Sequence, residues 1–210
     1  MKISYAITVK DEYNELRRLY KHLKKYKRKE DEIVIQQDDT DFSAGIAGVV
    51  ESYCRKLASA REVVYTHTPL MNDFGNFKNQ INKHCTGDFI LQIDADEIPN
   101  KSLIENLPHI IQSNDFDVCM VPRVNTVEGL TETHIQKWGW KVNEKGWVNW
   151  PDYQMRLYRN DPAIKWEGKV HEKITGFQTW TMFPEVEDMA LYHPKQIDRQ
   201  EKQNEFYETI

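Results

Sequence analysis

An α/β fold with a mostly parallel central sheet follows from three observations. Short apolar runs rich in β-branched residues recur through the first ~120 residues. Each is followed by a helical segment, most of them with apolar residues three and four apart. No internal repeat or low-complexity stretch interrupts the alternation. Helices that return each strand in the same direction cover both faces of such a sheet.

Ile3 to Val9 is apolar and β-branched and reads as a buried first strand. Leu16, Leu19, Tyr20 and Leu23 then mark a helix by their i, i+3, i+4, i+7 spacing. Ile33, Val34 and Ile35 form the second strand. Ile46, Val49, Val50, Tyr53 and Leu57 predict the next helix, with Ser43 placed to cap it. Val63 to Tyr65 is the third strand, Phe74 to His84 a helix, and Gly87-Asp88 a turn. Phe89 to Ile93 is the fourth strand. Ile104, Leu107, Ile110 and Ile111 predict a helix, and Asp117 to Val121 a fifth strand. Beyond that the pattern changes. All six tryptophans lie between Trp138 and Trp180, and short strand-like pieces such as Tyr153 to Arg159 replace the clear helices. Gln196 to Ile210 reads as a polar helix that stops without a cap, so the chain is expected to be the amino-terminal part of a longer protein.

A length of 210 residues suits one domain with a sizeable core. Lys plus Arg total 28 against 33 for Asp plus Glu, a formal charge of −5, which argues against a general nucleic-acid binder. No apolar run approaches the ~20 residues of a membrane span, and the N-terminus lacks the apolar core of a signal peptide. Cys54, Cys85 and Cys119 are odd in number without CxxC spacing; they read as buried reduced thiols, and the expected location is cytoplasmic.

The sharpest chemical feature is Phe89-Ile90-Leu91-Gln92-Ile93-Asp94-Ala95-Asp96-Glu97, a buried strand that ends in acids. Ligands of open α/β sheets bind at the carboxyl ends of the strands. While the chain stays extended, Asp94 and Asp96 point to the same side, and paired hard oxygen donors suit Mg²⁺ or Mn²⁺. The plainer reading is a solvated acidic turn.

Here the chain resembles the family 2 type of nucleotide-sugar glycosyltransferases with the GT-A (Rossmann-like) fold, and most of all the lipopolysaccharide-core glucosyltransferase branch. The pieces that carry the resemblance are Thr8 to Glu12, Thr40-Asp41, Phe77-Lys78-Asn79, Asp94 to Glu97, Met155 to Arg159 and Trp166 to Glu172, in the family's order. The resemblance implies a UDP-sugar donor, a glycan, glycoprotein or glycolipid acceptor, and an inverting transfer. It divides the chain into a donor-binding half, 1–122, and a smaller mixed acceptor-side half, 123–210. Thr8, Lys10 and Glu12 would face the base and ribose. The position that usually carries a base-holding Asp falls on Gln36, with Asp38 close by; an amide also pairs with a uracil edge. Lys78, Asn79 and Arg156 would lie at the donor. Asp94, Ala95 and Asp96 would hold the diphosphate through the metal, with His171 as a third ligand and His193 as the second candidate.

Such a transfer requires a cation to neutralise the departing diphosphate and a carboxylate to take the acceptor's proton. The base is expected from the second half. Asp152 leads because it precedes Arg156 and follows the tryptophan-rich segment; Glu172 comes next and Glu167 last. Trp138, Trp140, Trp147 and Trp150 offer stacking faces for a sugar, against the plainer reading of core packing. Arg17, Arg18, Lys21, Lys24, Lys25, Lys27, Arg28 and Lys29 load one early helix with charge. Peripheral contact with anionic lipid is one reading of them and a solvated helix face the plainer one. Two other functions were weighed. A nucleotidyltransferase usually carries a glycine-rich loop after the first strand, where this chain has Lys10 to Asn14 without glycine. A non-catalytic carbohydrate-binding module would have little need of Asp94, Asp96, His171 and Glu172.

Overall fold

A computed structural model describes residues 1–40 and 45–207. Asp41 and Ser43 lie outside the described residues, as do the last three residues of the expected terminal helix. The elements are β1 (Ile3–Val9), α1 (Tyr13–Tyr26), β2 (Glu32–Asp38), α2 (Ile46–Ser59), β3 (Val64–Thr68), α3 (Phe74–Asn82), β4 (Phe89–Asp94), β5 (Ile98–Pro99), α4 (Lys101–Ser113), β6 (Val118–Glu128), α5 (Glu132–Trp138), β7 (Val148–Arg159), β8 (Lys165–Glu167), β9 (Lys173–Thr175), β10 (Trp180–Met182), β11 (Leu191–Gln196) and α6 (Ile197–Tyr207).

The main sheet has the order β3-β2-β1-β4-β7-β6-β11-β5, with β10 beside β6; β8 and β9 form a separate ribbon. β3, β2, β1 and β4 run parallel. β7 enters antiparallel between β4 and β6. This insertion decides where the chemistry sits. Because β7 runs backward, its N-terminal half reaches the edge at which β1, β2 and β4 end. β6 and β11, parallel to each other, bring their C-terminal halves to that same edge. A division at residue 122 therefore falls inside β6, and strands of both halves share one sheet.

β1 shows why the apolar run has no polar alternation. Ile3, Tyr5 and Ile7 pack with Leu16, Leu19 and Leu23 of α1 and Leu103 and Leu107 of α4. Ala6 faces the other way, into a cluster with Ile81, Trp166 and Ile174. Both faces are buried, as parallel strands between two layers require. The three cysteines are free and buried. Among the described residues no helix is long and apolar enough to cross a membrane. Two cations of the basic helix region are spent within the molecule, Lys24 on Glu62 and Arg28 on Asp31.

Four elements differ from expectation. β6 runs on to Glu128, well past Val121, with Arg123 and Asn125 alternating with Val124 and β11 paired along this stretch. α5 is short, with a Thr131–His134 capping box, and lacks a buried face that periodicity could register. β5 has only two residues. α3 ends at Asn82, ahead of His84.

Candidate active site

The carboxyl end of β4 carries the centre of the site. Asp94 is the last residue of the strand, and Ala95 and Asp96 already turn. The two carboxylates therefore do not share one extended face, and each meets its own cations. Asp94 accepts from Thr8 Oγ1 at 2.9 Å and from Arg156 Nη2 at 2.6 Å, with Lys78 Nζ 3.9 Å away. Asp96 Oδ2 lies 3.4 Å from His193 Nε2 and 3.6 Å from Arg199 Nη2. Burial opposes ionisation of Asp94, but the charges of Arg156 and Lys78 outweigh it and hold the carboxyl well below its ordinary range. Burial opposes Asp96 in the same way; the hydrogen bond and charge of His193 win and bring it down to about 2.

An alternating chain of charges extends from Asp94 in both directions. On one side Lys78 Nζ reaches Glu172 Oε1 at 2.6 Å. On the other, Arg156 Nη2 donates to Glu97 Oε1 at 2.7 Å, and Arg123 Nη1 donates to the same oxygen at 3.0 Å. Arg123 then grips Asp152 Oδ2 through Nε at 2.9 Å and Nη2 at 2.7 Å. Glu172 and Asp152, the first two of the three sequence-derived bases, thus stand at opposite ends of one ion-pair chain. Arg156 is the extra residue of a register shift in β7, since Cys119 pairs with Leu157 and Met120 with Met155. A bulge of this kind re-aims a side chain, here into the acids of β4. Glu97 is 0% exposed and holds two arginines, one of them also fully desolvated. Glu97→Gln leaves those guanidiniums short of a counter-charge and is expected to cost about 3–5 kcal/mol in denaturant-unfolding stability. A loss below 1 kcal/mol would mean that water or Asp94 and Asp152 already neutralise them.

Asp152 is held on both oxygens: Asn125 Nδ2 donates to Oδ2 and Gln154 Nε2 to Oδ1, each at 2.8 Å. Burial raises its pKa, but Arg123 and the two amides lower it further, to a net value below the ordinary 3.8. Its side chain is 26% exposed, so a substrate can reach it, whereas Glu97 is sealed.

The remaining expected residues sort by geometry. Lys10 is half exposed, its Nζ 3.7 Å from Asp38 Oδ2. Glu12 folds back on the Lys10 N–H at 2.8 Å and pairs with Arg199 at 2.8 Å; burial pushes its pKa up. Ala95 is buried, its N–H donating to Thr8 O at 3.0 Å. Asp38 ends β2 with Oδ1 taken by the N–H groups of Thr40 and Leu70, each at 3.0 Å; its buried Oδ2 has no hydrogen-bond donor among the described residues. Two more are tied into the fold. Gln36 is fully buried beside Thr8, and its amide donates to Phe77 O at 2.6 Å, which fastens β2 to α3. Asn79 spends both ends of its amide on the Trp166 backbone, at 2.8 and 2.9 Å, and clasps β8 to α3.

The expected metal ligands do not come together as a set: among the described residues no three His, Cys, Asp or Glu side chains are grouped to hold a metal ion. The histidine that reaches Asp96 is His193, not His171; His171 sits in the turn before β9 at φ +55°, next to Glu172. A carboxylate beside an imidazole is a donor pair that fits Mn²⁺ or Mg²⁺. The sequence reading missed roles for Glu97, Arg123, Asn125 and Arg199. The polar–apolar alternation of Arg123-Val124-Asn125 is the signal that could have found two of them.

Residues 4–195 match the family model described as Glycosyl transferase family 2. The chain is 23% identical over 185 residues to the SPbeta prophage-derived glycosyltransferase SunS of Bacillus subtilis strain 168, covering 86% of this chain and 37% of that protein. It therefore spans little more than a third of the length of that relative. Among solved structures it is similar to S. aureus TarS 1–349 in complex with UDP-GlcNAc, with 17% identity, a TM-score of 0.60, and 93% of this chain and 59% of that one covered. The same fragment in complex with UDP gives 18% identity, a TM-score of 0.60, and 92% and 60% coverage. At these identities the structural likeness shows the fold.

Proposed function

The chain belongs to glycosyl transferase family 2, and from that premise we propose that it moves a hexosyl group from a UDP-sugar to a hydroxyl of a glycan or lipid-linked acceptor, such as a lipopolysaccharide core, with inversion. One observation carries the reading: Thr8, Asp38, Asp94 and Asp96 gather at the carboxyl ends of β1, β2 and β4, and antiparallel β7 sets an exposed carboxylate, Asp152, at the same edge.

In this reading Asp38 Oδ2, which faces Lys10 at 3.7 Å, accepts from the N–H of the base and takes the role expected of Gln36. Asp96 with His193 would hold Mn²⁺ or Mg²⁺, and Asp94 would face the neighbouring ribose. A divalent cation bound there supplies charge neutralisation for the departing diphosphate. Lys78 and Arg156 add fixed positive charge beside it. Asp152 accepts the proton of the incoming hydroxyl. That hydroxyl becomes strongly acidic as its oxygen bonds to the anomeric carbon, so a carboxylate of low basicity is sufficient at that stage.

A thermal-shift panel of UDP, GDP and CTP, each with and without Mn²⁺, tests the donor class. Stabilisation by UDP that depends on Mn²⁺ is expected. Stabilisation by CTP alone would favour a nucleotidyltransferase, and indifference to every nucleotide a binding module.

A further inference from the structure

A second cavity, of about 760 Å³, lies between the segment 142–150 and the segment 185–187. Trp147 and Trp150 wall it, edge to face with centroids 4.8 Å apart. Glu144, Glu185 and Glu187 share its rim with one cation, Lys145. We propose that this cavity binds a neutral pyranose ring of a carbohydrate acceptor; the word acceptor rests on the transferase reading above, while the sugar-binding claim stands on the cavity.

The walls are built in advance. A tight hairpin closes through Asn149 N–H to Lys141 O at 2.7 Å and Asn143 N–H to Trp147 O at 3.1 Å. The Asn143 side chain accepts from the N–H groups of Lys145 and Trp147, both at 3.0 Å. Lys145 Nζ crosses to Glu187 at 3.2 Å and ties the hairpin to the opposite wall, where Glu187 also accepts from Tyr192 OH at 2.8 Å. The hairpin is therefore a fixed frame for its indoles and not a loose flap.

Charge and shape together select the occupant. Lys145 lies 4.4 Å from the Trp147 ring centroid, so a cation already holds one face of that indole and neutralises Glu187. The exposed Glu144 and Glu185 remain, which repel anions. What is left is an aromatic corner with hydrogen-bond acceptors at its edge. A pyranose matches both, because it presents a C–H face to an indole and hydroxyl donors around its rim. The cavity is also placed for transfer: Trp150 precedes Asp152 by two residues on β7.

The test is ¹⁹F NMR of the full chain labelled with 5-fluorotryptophan. It is titrated with maltose, cellobiose and lactose, with methyl glucuronide as the anionic probe and trilysine as the cationic one. At least one neutral disaccharide should shift the Trp147 and Trp150 signals, and the two charged probes should not. Trp147→Ala should weaken that binding by about threefold to tenfold, and Trp147→Phe should restore most of it. UDP affinity, read by calorimetry on the same samples, should stay within about twofold in both variants. The proposal is overturned if no neutral disaccharide moves either signal, if a charged probe moves them as strongly, or if Trp147→Ala binds like the parent. Failure of UDP to bind any sample would instead overturn the donor reading and leave the sugar result standing.

Discussion

Asp152→Asn is expected to keep the affinity for UDP-sugar and to lower turnover by about 10²–10⁴, the span for removing a general base. The asparagine keeps the shape, and its oxygen can still accept from Arg123 or Asn125. What it loses is the capacity to take a proton. Arg123 would retain Glu97 as counter-charge, so the fold should tolerate the change. Glu172 is the control. It is 14% exposed and bound to Lys78 at 2.6 Å, which places it on the Lys78 and Asp94 side of the chain of charges. Glu172→Gln should therefore disturb donor affinity more than the chemical step. Near-normal turnover in Asp152→Asn with Glu172→Gln inactive would transfer the role. The pH profile adds an independent reading. The Asp152 carboxyl is held below the ordinary 3.8, so it stays ionised as pH falls from 8 to about 5. The acid limb of kcat/KM due to this group should lie below pH ~4, and Asp152→Asn should remove that limb.

Asp96→Ala should abolish Mn²⁺-dependent UDP binding, by about 10²-fold or more in calorimetry, while leaving the protein folded. The position separates binding from stability. Once Asp96 is gone, Arg199 keeps Glu12 at 2.8 Å and Glu15 at 3.7 Å, and His193 keeps Asn125 at 2.8 Å. Lys195, which Asp96 also stabilises, keeps its hydrogen bond to Gln203 and the charge of Asp94. Asp94→Ala is a poorer probe, because it strips a ligand-edge acid and also unbalances Arg156 and Lys78. Unchanged UDP and Mn²⁺ binding in Asp96→Ala would remove the metal assignment.

Much of the donor-side fold was legible because its strands are buried on both faces and its helices bury one stripe. Ile3, Tyr5 and Ile7, or Leu16, Leu19 and Leu23, can occupy few other arrangements. The end of β4 was legible too, since an apolar run that breaks into acids marks the ligand edge. β7 was harder to place. Its residues read as a strand, but nothing local says that it runs backward between β4 and β6, and that pairing sets Arg156 and Asp152 in the site. The length of β2 was hidden for a local reason: buried polar residues ended the apolar run early. Gln36 and Gln37 are strand residues satisfied by Phe77 O, Lys10 O and Ala47 O, and the strand continues to Asp38. The resemblance ranks His171 above His193, because nothing local says that β11 pairs with β6 and places His193 opposite Asn125.

A crystal structure of the chain soaked with UDP-glucose and Mn²⁺ tests the central claim most directly. The account predicts uracil against Asp38, the diphosphate beside Asp96 and His193, and the sugar between that diphosphate and Asp152, with its anomeric carbon open to the Asp152 side. A nucleotide bound away from the carboxyl ends of β1, β2 and β4, or a sugar whose open face points away from Asp152, would contradict it.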